Sequence, residues 1–288
     1  METRAMRRRL REVVGGLPAI PAIILLIVVS ASIFGPWIAP YDAEESDLIN
    51  QFMPPIWKAG GSLAHILGTD HMGRDFLSRL IVGARISLLV GCMAVFFSGS
   101  IGTSVAITAG YLGGKVDAVL MRMTDAMLSM PYLLIGVALA GIVGPGLLNL
   151  VVVLAVLGWA SYARVIRSEV LRVKTQDFVV LARITGCSTI RILARHIFPN
   201  IVNTMIVLAT LQLGITIILA ASLSFLGMGV PPPTPEWGLM VAEGREFIDS
   251  AWWLITFPGL CILLTCLAAN LLGDWLRLRL DPKYRQRA

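Results

Sequence analysis

The chain alternates between long apolar runs and short polar segments. Six runs are candidates to cross a bilayer, which takes about 20 apolar residues: Leu17–Pro40, Ile86–Gly110, Val119–Val143, Leu147–Tyr162, Ile201–Gly227 and Trp252–Trp275. The fourth is the shortest, and Gly144-Pro145-Gly146 predicts a tight turn just before it. One polar segment does not behave as a plain linker. From Val179 to Pro199 apolar residues fall at Val180, Leu181 and Ile184, Gly186 interrupts, and Ile190, Leu193, Ala194 and Ile197 follow. Each set has helical spacing, so the pattern predicts two short helices joined by a glycine turn. Arg183, Arg191 and Arg195 lie off the apolar stripe.

Composition agrees with a membrane protein. Of 288 residues, 56% are hydrophobic and 15% charged, against roughly 25% charged in an ordinary soluble domain. The expected class is an all-α polytopic membrane protein with six transmembrane helices. The Arg-rich start also fits a signal peptide, but the long apolar core of the first run and the five that follow favour an uncleaved helix. The net charge of +6 would fit nucleic acid in a soluble chain; in a membrane protein its placement matters more. With the N-terminus inside, the inner segments hold 19 of the 24 Lys and Arg residues, and only Lys58, Arg74, Arg79, Arg85 and Arg245 fall outside. This bias predicts both termini and the Val179–Pro199 segment in the cytoplasm. The resulting division is a basic N-terminus over 1–16, a first span over 17–40, an outer loop over 41–85, a core over 86–275 with a cytoplasmic segment 167–199 and an outer loop 228–251, and a tail over 276–288. Trp252, Trp253 and Trp275 suit interfacial anchors. Val230-Pro-Pro-Pro-Thr-Pro-Glu-Trp-Gly238 predicts a stiff, extended connector, followed by a short interfacial helix over Leu239–Ile248.

Several chemistries are absent from the pattern. Nothing ionisable sits in the middle of a span, which argues against a proton relay. There is no GxxxxGK[ST] loop, so ATP is not expected to bind here, and HExxH and GxSxG are missing too. Cys92, Cys187, Cys261 and Cys266 show no CxxC spacing and read as small buried hydrophobes, without disulfide or metal. Asp70, His71 and Asp75 are candidate ligand types, but a capped turn accounts for them better, with Asp70 as helix N-cap and Asp75 paired to Arg79 at i,i+4. Arg122 and Asp125 are spaced to pair on one helix, and Pro131 is placed to kink the third span. Gly91, Gly99 and Gly102 suit close helix packing. Asn203 and Gln212 are the polar candidates for a translocation path. If the chain is an active transporter, its energy source lies on another polypeptide.

The Val179–Pro199 segment resembles the coupling motif of binding-protein-dependent ABC importer permeases, often written EAA-x3-G-x9-I-x-LP. Ala182, Gly186 and Pro199 match, and Ile197 stands for the isoleucine; Val180, Leu181 and Phe198 depart from Glu, Ala and Leu. Other stretches resemble the C-type member of the dipeptide/oligopeptide/nickel branch. They are His65-Ile-Leu-Gly-Thr-Asp-His-Met-Gly-Arg-Asp-Phe-Leu-Ser-Arg79 followed by Gly83-Ala-Arg-Ile-Ser-Leu88, and Ser224-Phe-Leu-Gly-Met-Gly-Val-Pro-Pro-Pro-Thr-Pro-Glu-Trp-Gly238. Phe257-Pro-Gly259, and Asn270-Leu-Leu-Gly-Asp274 with Asp281-Pro282, complete the set. The resemblance covers the chain from about residue 20 to its end.

This resemblance implies the type I importer permease fold and a subunit that imports di- or oligopeptides, with nickel or another small solute as the alternative cargo. It also implies a B-type permease partner, two cytoplasmic ATPases that bind ATP and Mg, an extracytoplasmic binding protein and a lipid environment, with no cofactor or nucleic acid on this chain. The coupling residues would be Val180, Leu181, Ala182, Arg183, Gly186, Ile190, Arg191, Ile197 and Pro199. A non-transporting membrane subunit, a membrane enzyme and an ion-coupled carrier are the readings of other classes.

Overall fold

The computed structural model describes residues 18–280; the basic stretch 1–16, Leu17 and residues 281–288 of the predicted tail lie outside them. The described chain is helical, apart from two isolated bridges in the first loop. Its helices are α1 (Ala19–Ile38), α2 (Phe76–Leu112), α3 (Gly114–Ser129), α4 (Tyr132–Val143), α5 (Leu147–Lys174), α6 (Asp177–Ile184), α7 (Thr189–Ile192), α8 (Phe198–Phe225), α9 (Trp237–Gly244) and α10 (Trp253–Leu280). Among the described residues, five helical stretches are long and apolar enough to cross a bilayer, and a sixth crossing is made if α3 and α4 count as one broken span.

The third predicted span is broken at Pro131, where the sequence predicts a kink. Its hydropathy runs unbroken through Pro131, but α3 and α4 meet at 95°. Proline has no N–H to give, and its ring biases Met130 out of the helical region; Met130 accordingly takes an extended conformation, φ −92° and ψ 144°. The other spans are present, with shifted ends. α2 starts ten residues before Ile86. α5 runs past Tyr162 to Lys174, because its last three turns keep an apolar stripe of Ile166, Val170 and Val173 that packs inward while Arg164, Arg167 and Arg172 project. The cysteines are less uniform than their sequence setting suggests: Cys266 is buried, Cys187 and Cys261 are half-buried, and Cys92 is exposed on α2. An apolar span needs no protein cover on its lipid side, so an exposed thiol is at no disadvantage there.

α2 and α5 pack along most of their length, and glycine permits their closest approach. A Cβ on Gly102 would stand 2.3 Å from the Trp159 carbonyl oxygen. Gly102→Val should therefore force the pair apart and cost about 1–3 kcal/mol, as overpacking of a tight core does. A thermal melt of the purified chain that is unshifted relative to wild type would refute this.

The end of the bundle that carries the first loop is locked by buried polar groups. Asp75, not Asp70, caps α2, accepting from Ser78 N at 2.8 Å. Its other oxygen meets His65 Nδ1 at 2.9 Å, so it does not pair with Arg79. Asp70 instead binds Arg74 Nε at 2.7 Å, and Arg79 reaches across to Glu243 at 3.0 Å. Glu236 caps α9 through the N–H groups of Gly238 and Leu239. Burial pushes its carboxyl above the usual range, against the opposing pull of those donors. α9 is not interfacial: Trp237, Leu239 and Met240 are buried, and Trp237 Nε1 donates to the Leu80 carbonyl at 3.0 Å. The preceding prolines turn rather than extend. Trp253 is likewise buried, donating to the Thr69 carbonyl at 3.3 Å, so it anchors the loop and not the membrane interface.

Candidate functional site

At the opposite end of the bundle, residues 175–197 form the hairpin. Asp177 in the first turn of α6 and Arg183 in its last turn both suit the helix dipole. The helix ends in a double closure: Cys187 N–H donates to the Ala182 carbonyl at 3.0 Å, and Gly186 N–H to the Arg183 carbonyl at 3.1 Å. This is the Schellman arrangement, which places the residue after the cap in the left-handed region. Gly186 sits there with φ +80°. A Cβ at Gly186 would meet nothing within 4 Å. The glycine is needed for its backbone conformation, not because a side chain would collide.

The second arm is not a separate helix. α7 continues through Leu193–Ile197 into α8 by a widened turn, in which Phe198 N–H reaches back five residues to the Leu193 carbonyl. Pro199 explains the widening, since it cannot donate to Arg195 and its ring crowds that carbonyl. The arm is thus a rigid extension of α8, and α6 joins α5 through a corner of two residues, Thr175 and Gln176.

The hairpin has a buried root and an exposed apolar edge. Val179, Ala182, Ile192 and Ile197 pack with Ile166, Val170 and Ile201. Phe178 lies over His196, with ring centroids 6.1 Å apart, and closes the two arms. The Arg183 guanidinium and the Lys174 ammonium both sit over the Tyr111 ring, at 5.7 and 5.6 Å from its centroid. Outward stand Leu181, Ile184 and Ile190, which are 60%, 76% and 80% exposed, with Val180 beside them. Leaving such side chains in water is unfavourable, and a clustered apolar edge rimmed by charge marks a contact surface. Arg191 and Arg195 are exposed around that edge.

The sequence-predicted residues therefore divide. Val180, Leu181, Gly186, Ile190 and Arg191 share the outer edge, Ala182 and Ile197 belong to the root, Arg183 packs on Tyr111, and Pro199 starts α8. Counted from Gly186, the motif's isoleucine position falls on His196, one residue before Ile197.

Asn203 and Gln212 are not brought together. Nine residues apart on α8, they are separated by about two and a half turns and point to opposite sides. Asn203 is exposed, whereas Gln212 is half-buried beside Gly158. The local pair Arg122–Asp125 does not form either: Asp125 pairs with Arg164, and Asp117 pairs with Arg167, so α3 is tied to α5 twice. Asp70, His71 and Glu243 are close enough to share a cation. However, both carboxylates already hold guanidinium groups of Arg74 and Arg79, whose charge opposes a metal there.

Comparison with known proteins places the chain in context. Residues 102–286 match the family described as binding-protein-dependent transport system inner membrane component, and residues 20–55 match the N-terminal TM domain of oligopeptide transport permease C. The chain is 44% identical over 266 residues to the di/tripeptide transport system permease protein of Pseudomonas aeruginosa, covering 92% of this chain and 88% of that protein. It is also 44% identical over 278 residues to the glutathione transport system permease protein of Escherichia coli, covering 96% and 89%. A chain of the MetNI methionine ABC transporter, in inward facing conformations, superposes with a TM-score of 0.57 at 17% identity, over 69% of this chain and 95% of that one.

Proposed function

Because the chain belongs to the family of binding-protein-dependent transport system inner membrane components, we propose that it is the permease subunit through which an ATP-driven importer passes short peptides. The chain is a multi-pass protein of the inner membrane. The cargo reading rests on the two relatives: one is named for di- and tripeptides, the other for glutathione, itself a tripeptide, and both match at 44% over nearly the whole chain. Their common class is a short peptide.

The exposed apolar edge carries the mechanistic part. No phosphate loop lies on this chain, so ATP and its Mg would bind to two partner ATPases, and the hairpin edge would seat in a groove on one of them, in the cytoplasm. Closure of the ATPases would push the hairpin. Its first arm leads into α5 and its second arm is continuous with α8, so the push tilts both helices together. A second, B-type permease would complete the pathway, and an extracytoplasmic binding protein would deliver the peptide to the loop end. The spans carry little charge, which suits a pathway that leaves selectivity to the binding protein. Exchange of the binding protein should then change which labelled peptide enters the cell; an unchanged preference would assign selectivity to the permease. Uptake should also stop on ATP depletion while a membrane potential is held, and persistence of uptake would support an ion-coupled carrier instead.

A further inference from the structure

The join between α3 and α4 has properties that a lipid-facing segment cannot carry. Met130 and Pro131 are both extended, and the last turn of α3 ends without a cap. Its Met127 carbonyl would need an N–H at position 131, which is proline. No donor outside the helix reaches the carbonyls of Met127, Leu128 or Ser129 among the described residues. Ser129, Met130 and Pro131 are all exposed on the surface of the chain.

The depth of the join follows from α5. The Tyr132 hydroxyl shares a hydrogen bond of 2.9 Å with Ser161 Oγ. Ser161 lies 14 residues beyond Leu147, so about 21 Å along α5 from the Gly144–Gly146 turn at 1.5 Å per residue. A hydrocarbon slab of about 30 Å that begins at that turn would extend some 9 Å further. Free backbone groups at that depth are tolerated only where protein covers them or where they line water. A second observation points to water. One turn further along α5, Arg164 pairs with Asp125 of α3, and the two side chains remain 55% and 60% exposed. A charged pair left this open belongs against an aqueous space, not against acyl chains.

We infer that the Met130–Pro131 break lines the water-filled translocation pathway and offers its free carbonyls to the N–H and ammonium groups of the passing solute. This rests on the transport reading above and names the part of that pathway which Asn203 and Gln212 do not supply. Met123 and Met130, both exposed, flank the break. Their flexible, polarizable side chains can accommodate side chains of different shape.

Thiol accessibility tests the assignment in membranes that contain the full chain. Cys92, Cys187, Cys261 and Cys266 are first changed to Ser, and Met130→Cys, Ser129→Cys or, as control, Leu26→Cys on the exposed face of α1 is added. A charged, lipid-insoluble methanethiosulfonate should modify the thiol at 130 at least about tenfold faster than that at 26, because only a wetted thiol ionises and meets the reagent. Equal, slow rates at 129, 130 and 26 would overturn the assignment. A misfolded variant reveals itself by labelling no faster once it is fully denatured than it does before. Labelling needs no transport, so the two readings fail separately. Fast labelling in a chain that supports no peptide uptake removes the transport reading and leaves the break on water; slow labelling with normal uptake removes the break from the path.

Discussion

Leu181→Glu and Ile190→Glu should each abolish copurification of the ATPase and reduce peptide uptake to background. Both side chains stand on the outer edge of the hairpin, 60% and 80% exposed, and neither supports the fold of this chain. A carboxylate at either position would be buried, unpaired, in the proposed groove. Desolvating an ionised group without a partner costs several kcal/mol, and each 1.4 kcal/mol is a tenfold loss of affinity. Because the root residues Val179, Ile192 and Ile197 are untouched, the amount of protein in the membrane should not change. Wild-type copurification in either variant would exclude the edge as the docking surface. Gly186 gives a graded companion test. Asn tolerates the left-handed region while a β-branched residue does not, so Gly186→Asn should retain more coupling than Gly186→Val. Equal loss in both would mean that the φ of +80° is not what the position requires.

The hairpin was legible in the sequence because it is built from local signals: helical spacing on both sides of a glycine, and a proline where the second arm meets a span. The spans were legible for the same reason, since a run of apolar residues needs no knowledge of its neighbours. The failures occur where a distant partner overrides the local rule. Arg122 is the sequence neighbour of Asp125, but the packing of α3 on α5 brings Arg164, 39 residues away, to that carboxylate instead. Asp75 has Arg79 one turn ahead, yet it is taken by His65, while Arg79 finds Glu243 across 164 residues. α9 has the composition of an interfacial helix, and only the seat of Trp237 against Leu80 shows that it is covered. The sharp bend at Pro131 was visible only as a proline, because hydropathy carries no information about angle.

The loop-end lock should be the costliest place to remove a charge. Arg74 and Arg79 are buried with Asp70, and Glu243 binds both guanidinium groups, at 3.2 and 3.0 Å. The four charges cancel. Glu243→Met leaves two buried guanidinium groups facing one carboxylate, and Arg79→Met leaves two carboxylates facing Arg74. Breaking a buried pair from one side typically costs about 3–5 kcal/mol, because the remaining charge is stranded. Each single variant should therefore melt well below wild type when purified. The double variant Arg79→Met with Glu243→Met restores neutrality and keeps the Arg74–Asp70 pair at 2.7 Å. Its loss should fall short of the sum of the two single losses by about 1–3 kcal/mol, the coupling expected for groups in one network. Strict additivity would show that these charges do not hold α9 to the start of α2. Since α9 also carries Glu236 and Trp237 against α2, a weakened lock would loosen the outer surface on which the binding protein is proposed to dock. The single variants should then lose uptake in step with their melting temperatures, and the double variant should lose less of both than the two single losses added together.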